Sequence, residues 1–265
     1  MTDDPLKRGL TAVWDVSAAG YDRLDGHGLL LEDEERAWRR LVAAILGDPR
    51  HAAVPVQRVL DVGTGTGFLA IFAAELGHEV TGLDLSESML ALAARKAREL
   101  HLAIDLHLGD AEVPPFATGS FDVVVSRHLL WTLPHPGEAV ARWAELVRPG
   151  GLVAVIDGYS PRLDPFRAVL ARGARRLGRA IERRRGAPPD HDYTVEQYAA
   201  LPLARQGDAR GAERLLRGAG LERVATRLLR EVDTAEARHA TRLQRLAYPY
   251  RHYLSTGRRP ADPVG

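Results

Sequence analysis

The part of this sequence that most constrains the fold is a short run at residues 58–67, RVLDVGTGTG. Its apolar first half has the composition of a buried strand, and a helix-like apolar run follows the glycines. The glycines are spaced two residues apart: Gly63, Gly65 and Gly67. Glycine allows left-handed backbone conformations and a close approach of a ligand. A strand, a glycine turn and a helix N-terminus together are typical of a nucleotide-type site.

An acidic residue, Asp84, ends a second predicted strand at 79–84. In nucleoside-binding α/β folds a carboxylate at this place accepts hydrogen bonds from the ribose hydroxyls. The alternative is that Asp84 only caps the helix that begins near Ser86. The glycine run departs from the dinucleotide pattern G-x-G-x-x-G, because its third glycine comes one residue early and Phe68 stands where Gly or Ala is expected. The sequence therefore favours a nucleoside ligand over a dinucleotide.

Predicted strands and helices alternate through the middle of the chain. This alternation indicates an α/β fold with a mostly parallel sheet and helices on both faces. Its predicted strands are 57–62, 79–84, 104–108, 121–126 and 151–157, and its helices are 67–76, 86–100 and 137–147.

Outside this region the pattern is mainly helical. Two helices are predicted within 8–47, an arginine-rich helix at 164–184 and a short tyrosine-rich turn before residue 206. A helix at 208–218 and a strand at 221–230 follow, and the tail at 234–254 reads as an amphipathic helix. The sequence shows no clear seventh strand.

Four stretches resemble, in order, the motifs of class I S-adenosylmethionine (SAM)-dependent methyltransferases. They are VLDVGTGTG at 59–67, VTGLDLSESM at 80–89, LGDAEVPPF at 108–116 with FDVVVS at 121–126, and LVRPGGLVAVI at 146–156. The resemblance is to the small-molecule type, such as ubiquinone and menaquinone biosynthesis or natural-product tailoring enzymes of secondary metabolism and antibiotic biosynthesis. It implies SAM as cofactor, S-adenosylhomocysteine as product and a Rossmann-like sheet. The expected organisation is a single domain, with a helical lid at 1–50, a SAM-binding core at 56–157, a helical cap at 160–206 and a helix-strand-helix end at 207–265.

The resemblance also implies a set of cofactor-binding residues. Asp61 faces the sulfonium or amino end of SAM, Asp84 the ribose hydroxyls and Asp110 the adenine amino group. The full set is Tyr21, Asp61, Gly63, Thr64, Gly65, Gly67, Asp84, Leu85, Met89, Asp110, Ala111 and Ser126.

Candidates for the acceptor side lie after the fourth strand, in the lid and in the cap. His128 and His27 titrate in the range of a general base and are the catalytic candidates; for His128 a pocket-lining role is the alternative. The substrate-binding candidates are Trp14, His128, Trp131, Tyr159, Tyr193 and Tyr198. For Trp14, plain core packing is the favoured interpretation.

Composition limits the partners. The formal net charge is +1 and there is no cysteine, which argues against a general polyanion binder and excludes a thiolate zinc site. No run approaches the roughly 18 apolar residues of a membrane span, and the N-terminus lacks a secretory pattern, so we expect a cytoplasmic protein that acts on a small molecule without a membrane partner. A monomer or a homodimer is expected. No Asp/Asn cluster follows the fourth strand, which disfavours a metal-dependent catechol methylase, and no metal is expected.

Two alternatives stay open. A nucleic-acid methyltransferase of the Asp/Asn-Pro-Pro-Tyr group carries that tetrapeptide after the fourth strand, where this chain has residues 126–129, SRHL. Val113-Pro-Pro-Phe116 imitates the motif but precedes the strand. The other alternative is an enzyme that uses SAM for non-methyl chemistry.

The arginine-rich helix at 164–184 could bind RNA, an anionic substrate or an acidic partner, but its amphipathic pattern favours a solvated cap helix.

Overall fold

A seven-stranded sheet forms the centre of the molecule, with strand order β3-β2-β1-β4-β5-β7-β6. The computed structural model describes residues 4–21, 32–51, 54–159, 163–184, 193–204, 209–247 and 250–262. The strands are β1 Arg58–Val62, β2 Glu79–Asp84, β3 Ile104–Leu108, β4 Phe121–Arg127, β5 Val147–Tyr159, β6 Glu222–Leu228 and β7 Arg251–Arg258. Strands β1 to β5 are parallel, and β7 is antiparallel to both of its neighbours. The predicted α/β class and mostly parallel sheet are confirmed.

The helices surround this sheet. They are α1 Pro5–Tyr21, α2 Glu32–Leu46, α3 Phe68–Glu75, α4 Glu87–Glu99, α5 Pro136–Leu146, α6 Pro165–Arg184, α7 Val195–Ala200, α8 Ala209–Gly218, α9 Arg230–His239 and α10 Arg242–Ala247. None of the helices in the described part of the chain combines the length and apolar character that crossing a bilayer requires.

Successive strand residues point to opposite faces of the sheet, and each face buries a separate apolar core. Val59 and Val125 contribute to the core beneath α2, α3 and α9. Leu60 and Val124 contribute to the core beneath α5 and α8. The central strands are therefore buried on both sides, which explains their continuous apolar sequences.

The predicted helical tail at 234–254 is helical through the end of α9 and through α10, but it is wrong from Arg251 onwards, where the seventh strand that the sequence did not show begins. Helix α10 ends at Ala247, and β7 begins at Arg251 and lies between β5 and β6. His252 and Ser255 are almost fully buried within this strand. The strand was missed because its buried positions include polar side chains, which find partners only in the folded protein: His252 pairs with Asp233 of α9 and Ser255 with Thr226 of β6.

Helix α6 forms where it was predicted, and small residues provide the buried part of its apolar face. Ala171 and Ala174 are buried, whereas Leu170 and Leu177 face solvent. Small residues allow α6 to pack closely against α10, so the larger apolar side chains remain outside. The predicted tyrosine-rich turn contains the short helix α7, which begins with a capping box formed by Thr194 and Gln197.

Candidate cofactor and acceptor site

The glycine turn adopts the left-handed backbone that its sequence predicts. The φ angles of Gly63, Gly65 and Gly67 are +68°, +55° and +85°. A Cβ on Gly63 would meet Leu129 at 2.8 Å, whereas a Cβ on Gly65 would meet no protein atom within 4 Å. Gly65 lines the open pocket beside the sheet. The turn thus presents bare backbone to a space that a ligand can enter.

Asp84 connects the glycine turn to the start of α4. One carboxylate oxygen accepts a hydrogen bond from the Gly65 N–H at 2.7 Å, and the other accepts from the Ser86 N–H at 2.9 Å. Burial raises the pKa of Asp84, while these backbone N–H groups oppose the rise. A carboxylate offers about four lone-pair positions, so both oxygens retain capacity for hydroxyl donors from a ligand.

Asp61 lies beneath the turn, outside the lining of the pocket. Its side chain accepts hydrogen bonds from the Thr64 hydroxyl at 2.8 Å and the Ala70 N–H at 3.1 Å. Burial raises the pKa of Asp61 to about 7, against the effect of these two donors. In this geometry Asp61 supports the turn; the contact with the cofactor stays a prediction.

A pocket of about 800 Å³, including its open mouth, lies at the carboxyl ends of β1, β2 and β4. The predicted residues that line it are Trp14, Tyr21, Gly63, Gly65, Asp84, Leu85, Met89, Asp110, Ala111 and His128. The lining residues that the sequence did not indicate are Lys7, Leu10, Thr11, Ser86, Gly109, Arg127, Leu129, Thr132, Leu133 and Pro134.

Lys7 connects the N-terminal helix to the predicted adenine end of the pocket. Its Nζ lies 2.6 Å from Asp110 Oδ2 and 2.5 Å from Glu112 Oε2. Burial lowers the pKa of Lys7, but the hydrogen bonds and charges of the two carboxylates outweigh it and raise the pKa overall. Asp110 therefore shares its carboxylate with Lys7. No local motif identifies this lysine, because its partners lie more than a hundred residues away.

A second polar contact holds the same helix against α4. Asp15 accepts a hydrogen bond of 2.5 Å from the Ser86 hydroxyl at the start of α4. Trp14, one residue before it, lines the pocket and packs edge-on against Tyr21 with ring centroids 5.8 Å apart. Helix α1 thus forms one wall of the pocket, and Trp14 faces the pocket as well as its aromatic neighbours; the assignment of residues 1–50 as a lid stays a prediction.

His128 occupies the wall of the pocket directly after β4. Its backbone is left-handed, with φ of 54°, and its N–H donates to the Ile156 carbonyl at 3.0 Å. Its Nδ1 lies 3.5 Å from Asp157 Oδ1 and 3.3 Å from the Tyr250 hydroxyl. Neither partner was indicated by the sequence, since each comes from a different strand region.

Three of the aromatic candidates form a cluster with Trp14. The Tyr193 ring centroid lies 6.0 Å from that of Trp14, 5.8 Å from Trp131 and 5.5 Å from Tyr198. Tyr193 is buried, and these rings are not among the residues that line the pocket, Trp14 excepted. Tyr159 lies apart from them and packs near Tyr253 with centroids 6.5 Å apart.

The remaining candidates lie behind the pocket surface or outside the described residues. Thr64 is buried in the turn, and Gly67 forms the N-cap of α3. Ser126 is buried beside Val62, and its hydroxyl has no hydrogen-bond partner among the described residues. His27 lies outside the residues that the structure describes. The assignment of these residues to a ligand stays a prediction.

The site fits a nucleoside cofactor. Bare backbone at Gly65 and the acidic side chain of Asp84 lie next to the apolar side chains of Leu85 and Met89 in one pocket. These features occur at the carboxyl edge of parallel strands, where open α/β sheets bind ligands. The fold and the site therefore define an α/β protein with a nucleoside-cofactor pocket.

Comparisons with known proteins identify the family. Residues 60–155 match the family described as methyltransferase domain. A demethylmenaquinone methyltransferase of Renibacterium salmoninarum is 35% identical over 194 residues, which cover 73% of this chain and 77% of the relative. The chain belongs to the class I SAM-dependent methyltransferases, and SAM is its cofactor.

Two further comparisons agree with this assignment. The aklanonic acid methyltransferase DauC of Streptomyces sp. strain C5 is 35% identical over 174 residues, covering 62% of this chain and 74% of DauC. The phosphoethanolamine N-methyltransferase 2 of Haemonchus contortus was solved with S-adenosylhomocysteine. Its structure matches with a TM-score of 0.62 at 17% sequence identity, and the match covers 97% of this chain and 61% of the Haemonchus chain. The structural likeness supports the Rossmann-like fold.

Proposed function

We propose that this enzyme transfers a methyl group from SAM to a small aromatic or heterocyclic metabolite, with His128 as the general base. The observation that carries the proposal is the position of His128 in the wall of the cofactor pocket, with a carboxylate and a phenol at its Nδ1. The names of two relatives, which refer to demethylmenaquinone and aklanonic acid, support a small-molecule acceptor.

The cofactor would be held by the residues on the β1–β3 side of the pocket. Gly65 leaves room for its close approach to the backbone, Asp84 would accept from its ribose hydroxyls and Met89 would cover its base. SAM supplies a methyl group on a positively charged sulfur, which is already electrophilic. The protein therefore has to orient the acceptor, exclude water and remove a proton where the acceptor has one to lose.

The acceptor would enter on the side of the aromatic cluster. Trp14 belongs both to the pocket lining and to the cluster with Tyr193, which adjoins Trp131 and Tyr198. Flat aromatic side chains favour a flat acceptor through offset or edge-to-face contacts. His128 stands on the same β4 side of the pocket, where its ring would meet the reacting atom of such an acceptor.

The test is a methyl-transfer assay with labelled SAM and a panel of hydroxylated naphthalenes and anthraquinones, compared with total tRNA. We expect methylation of members of the aromatic panel and none of tRNA. His128→Ala should lower kcat about 100-fold or more, as expected for a lost general base, while the SAM dissociation constant stays within about twofold. His27→Ala tests the second candidate in the same way.

The matched control is His107→Ala, since His107 is a half-exposed histidine on β3 that pairs with Asp105 at 2.7 Å, away from the pocket. This variant should keep full activity. Full activity of both His128→Ala and His27→Ala would refute general-base catalysis and leave proximity as the mechanism. Methylation of tRNA alone would refute the small-molecule proposal.

A further inference from the structure

A group of polar side chains, most of them buried, adjoins His128; Tyr250, with 37% of its surface exposed, is its most exposed member. The group comes from four parts of the chain that are distant in sequence: the end of β4, the end of β5, helix α9 and the start of β7. Its members are Arg127, His128, Asp157, Asp233, Glu236, Tyr250 and His252. Buried charges of this kind are costly unless they are paired, and clusters of them beside a pocket are candidates for a functional role.

Asp157 and Tyr250 approach the same nitrogen of His128. Asp157 Oδ1 lies 3.5 Å from Nδ1 and accepts a hydrogen bond from the Gly158 N–H at 2.8 Å. The Tyr250 hydroxyl lies 3.3 Å from Nδ1. The Tyr250 ring packs over Gly158 so closely that a Cβ at residue 158 would overlap it. Both oxygens are therefore held in place by the backbone of β5.

A second histidine supports this arrangement from β7. The His252 ring centroid lies 5.5 Å from that of His128 and 5.0 Å from that of Tyr250. His252 is itself fixed by Asp233, whose carboxylate lies 3.0 Å from its Nδ1 and also accepts from its N–H. His128 is thus enclosed by groups whose own positions are determined by hydrogen bonds.

The charge state of Asp157 depends on its burial and on the charged groups around it. Burial raises the pKa of Asp157 to about 7, and the charge of Arg127 opposes that rise. Burial also raises the pKa of the Tyr250 phenol, which therefore remains protonated in the neutral range. Asp157 gains from a cationic ring beside it, because an opposite charge within about 4–6 Å stabilises a carboxylate.

We propose that Asp157 and Tyr250 are positioning residues that both accept from the Nδ1–H of His128, so that Nε2 receives a proton from a hydroxyl group of the acceptor. This inference rests on the proposed function, since it takes His128 as the base. The Asp157 carboxylate can only accept, and the Tyr250 phenol can accept through its oxygen while its own proton goes to another acceptor, so the proton on Nδ1 has an acceptor in both groups. The tautomer with its proton on Nδ1 leaves the lone pair on Nε2, at the far edge of the ring.

The proton transfer balances within the site. The O–H bond of the acceptor breaks, the electron pair remains on oxygen and the proton forms an N–H bond with Nε2. The imidazolium ion lies beside the Asp157 carboxylate, which stabilises its charge, and it later releases the proton to solvent. This arrangement suits hydroxyl acceptors, because a neutral amine attacks through its own lone pair before it loses a proton.

The first test is nitrogen NMR of the histidine rings in the full-length protein with S-adenosylhomocysteine bound, with the His128 signals assigned from His128→Gln. We expect the tautomer with its proton on Nδ1 in the wild type. Asp157→Asn should lower the His128 titration midpoint by about one unit or more. Tyr250→Phe and Gly158→Ala should weaken the Nδ1–H tautomer, the second by displacing the ring of Tyr250. Asp105→Asn, at the surface Asp–His pair, should change nothing at His128.

The second test compares kcat and KM for 1-hydroxyanthraquinone and its amine counterpart 1-aminoanthraquinone. For the hydroxyl probe, Asp157→Asn should lower kcat about 100-fold and Tyr250→Phe about tenfold, with KM for SAM unchanged. The amine probe should lose less than threefold. Equal losses with both probes would overturn the selection of hydroxyl acceptors.

The NMR result separates this inference from the proposed function. An unchanged His128 tautomer and midpoint in Asp157→Asn, Tyr250→Phe and Gly158→Ala would overturn the inference whatever the activity. If Asp157→Asn fails to fold, the other two variants decide. A further outcome is that the variants change the His128 tautomer and midpoint while His128→Ala remains active. That result would refute His128 as the base and would leave the positioning of its ring by Asp157 and Tyr250 supported.

Discussion

The two sides of the pocket are built in different ways. On the β1–β3 side, the glycine turn and Asp84 belong to consecutive strand-turn-helix units, and Asp84 contacts Gly65 nineteen residues away. On the β4–β5–β7 side, His128 meets Tyr250 across 122 residues of sequence. Apart from the contacts that α1 makes through Lys7 and Asp15, the cofactor side is therefore built from residues close in sequence, whereas the acceptor side exists only after the sheet has formed.

This difference indicates which substitutions should affect cofactor binding and which should affect turnover. The cofactor side depends on backbone conformation and a few hydrogen bonds to main-chain groups, so its substitution should mainly affect binding. The acceptor side depends on side chains brought together by β7, so its substitution should mainly affect turnover.

Replacement of Asp84 by alanine should weaken SAM binding about 100-fold, because a carboxylate that accepts two hydroxyl hydrogen bonds contributes on the order of 3 kcal/mol. Calorimetric titration with SAM measures this loss. Asp105→Asn on the neighbouring strand is the control and should bind as the wild type does. Unchanged affinity in Asp84→Ala would refute the ribose assignment and with it the local character of the cofactor side.

Replacement of Gly63 by alanine should destabilise the protein by about 1–3 kcal/mol, because the residue has φ of +68° and its Cβ would meet Leu129 at 2.8 Å. Urea unfolding measures the change. Gly173→Ala in α6 is the control: its Cβ meets nothing within 4 Å, and alanine should stabilise that helix by about 0.5–1 kcal/mol. Equal effects at the two glycines would show that the turn tolerates a side chain.

Asp61 should make stability depend on pH in an unusual direction. Its folded pKa of about 7 lies above the model-compound value of 3.8, so the folded state binds more protons between these values. The contribution of Asp61 to stability is present below about pH 4 and is lost as the pH rises towards 7. Asparagine does not ionise, so the Asp61→Asn variant does not lose stability in this way. The unfolding free energy of the variant minus that of the wild type should therefore rise by about 1–3 kcal/mol as the pH goes from about 4 to about 7.

Urea unfolding from pH 4 to pH 8 checks this prediction. The comparison with the wild type cancels the contributions of other groups, including Asp157, whose pKa is also raised to about 7. A constant difference between Asp61→Asn and the wild type over the whole range would show that Asp61 is ionised throughout.

Neutralisation of exposed arginines on α6 should have the smallest effect. Arg172 and Arg176 are exposed, whereas Arg175 donates to the Ala247 carbonyl at the end of α10. The double variant Arg172→Gln and Arg176→Gln should keep the activity and the stability of the wild type, and neither protein should bind RNA. Salt-dependent RNA binding that disappears in the variant would revive the nucleic-acid alternative.

The sequence predicted the parallel core well because each of its units carries its own signal. The apolar run, the glycines and the acidic strand end place β1, β2 and Asp84 without knowledge of distant residues. The prediction from sequence failed at β7 because a strand between two others needs no alternating pattern. His252 and Ser255 are polar, so the sequence suggests exposed positions, whereas the folded sheet buries both. The prediction also missed Lys7, whose partners Asp110 and Glu112 are distant in sequence.

The sequence by itself determined the cofactor and the class of fold, because left-handed glycines and the acidic end of β2 are local requirements of the backbone. The acceptor side was decided only by the tertiary structure. Insertion of β7 between β5 and β6 brings Tyr250 and His252 to His128, and the burial of Asp157 raises its pKa. Those contacts and that burial arise from the assembled sheet, and no neighbouring residues in the chain encode them.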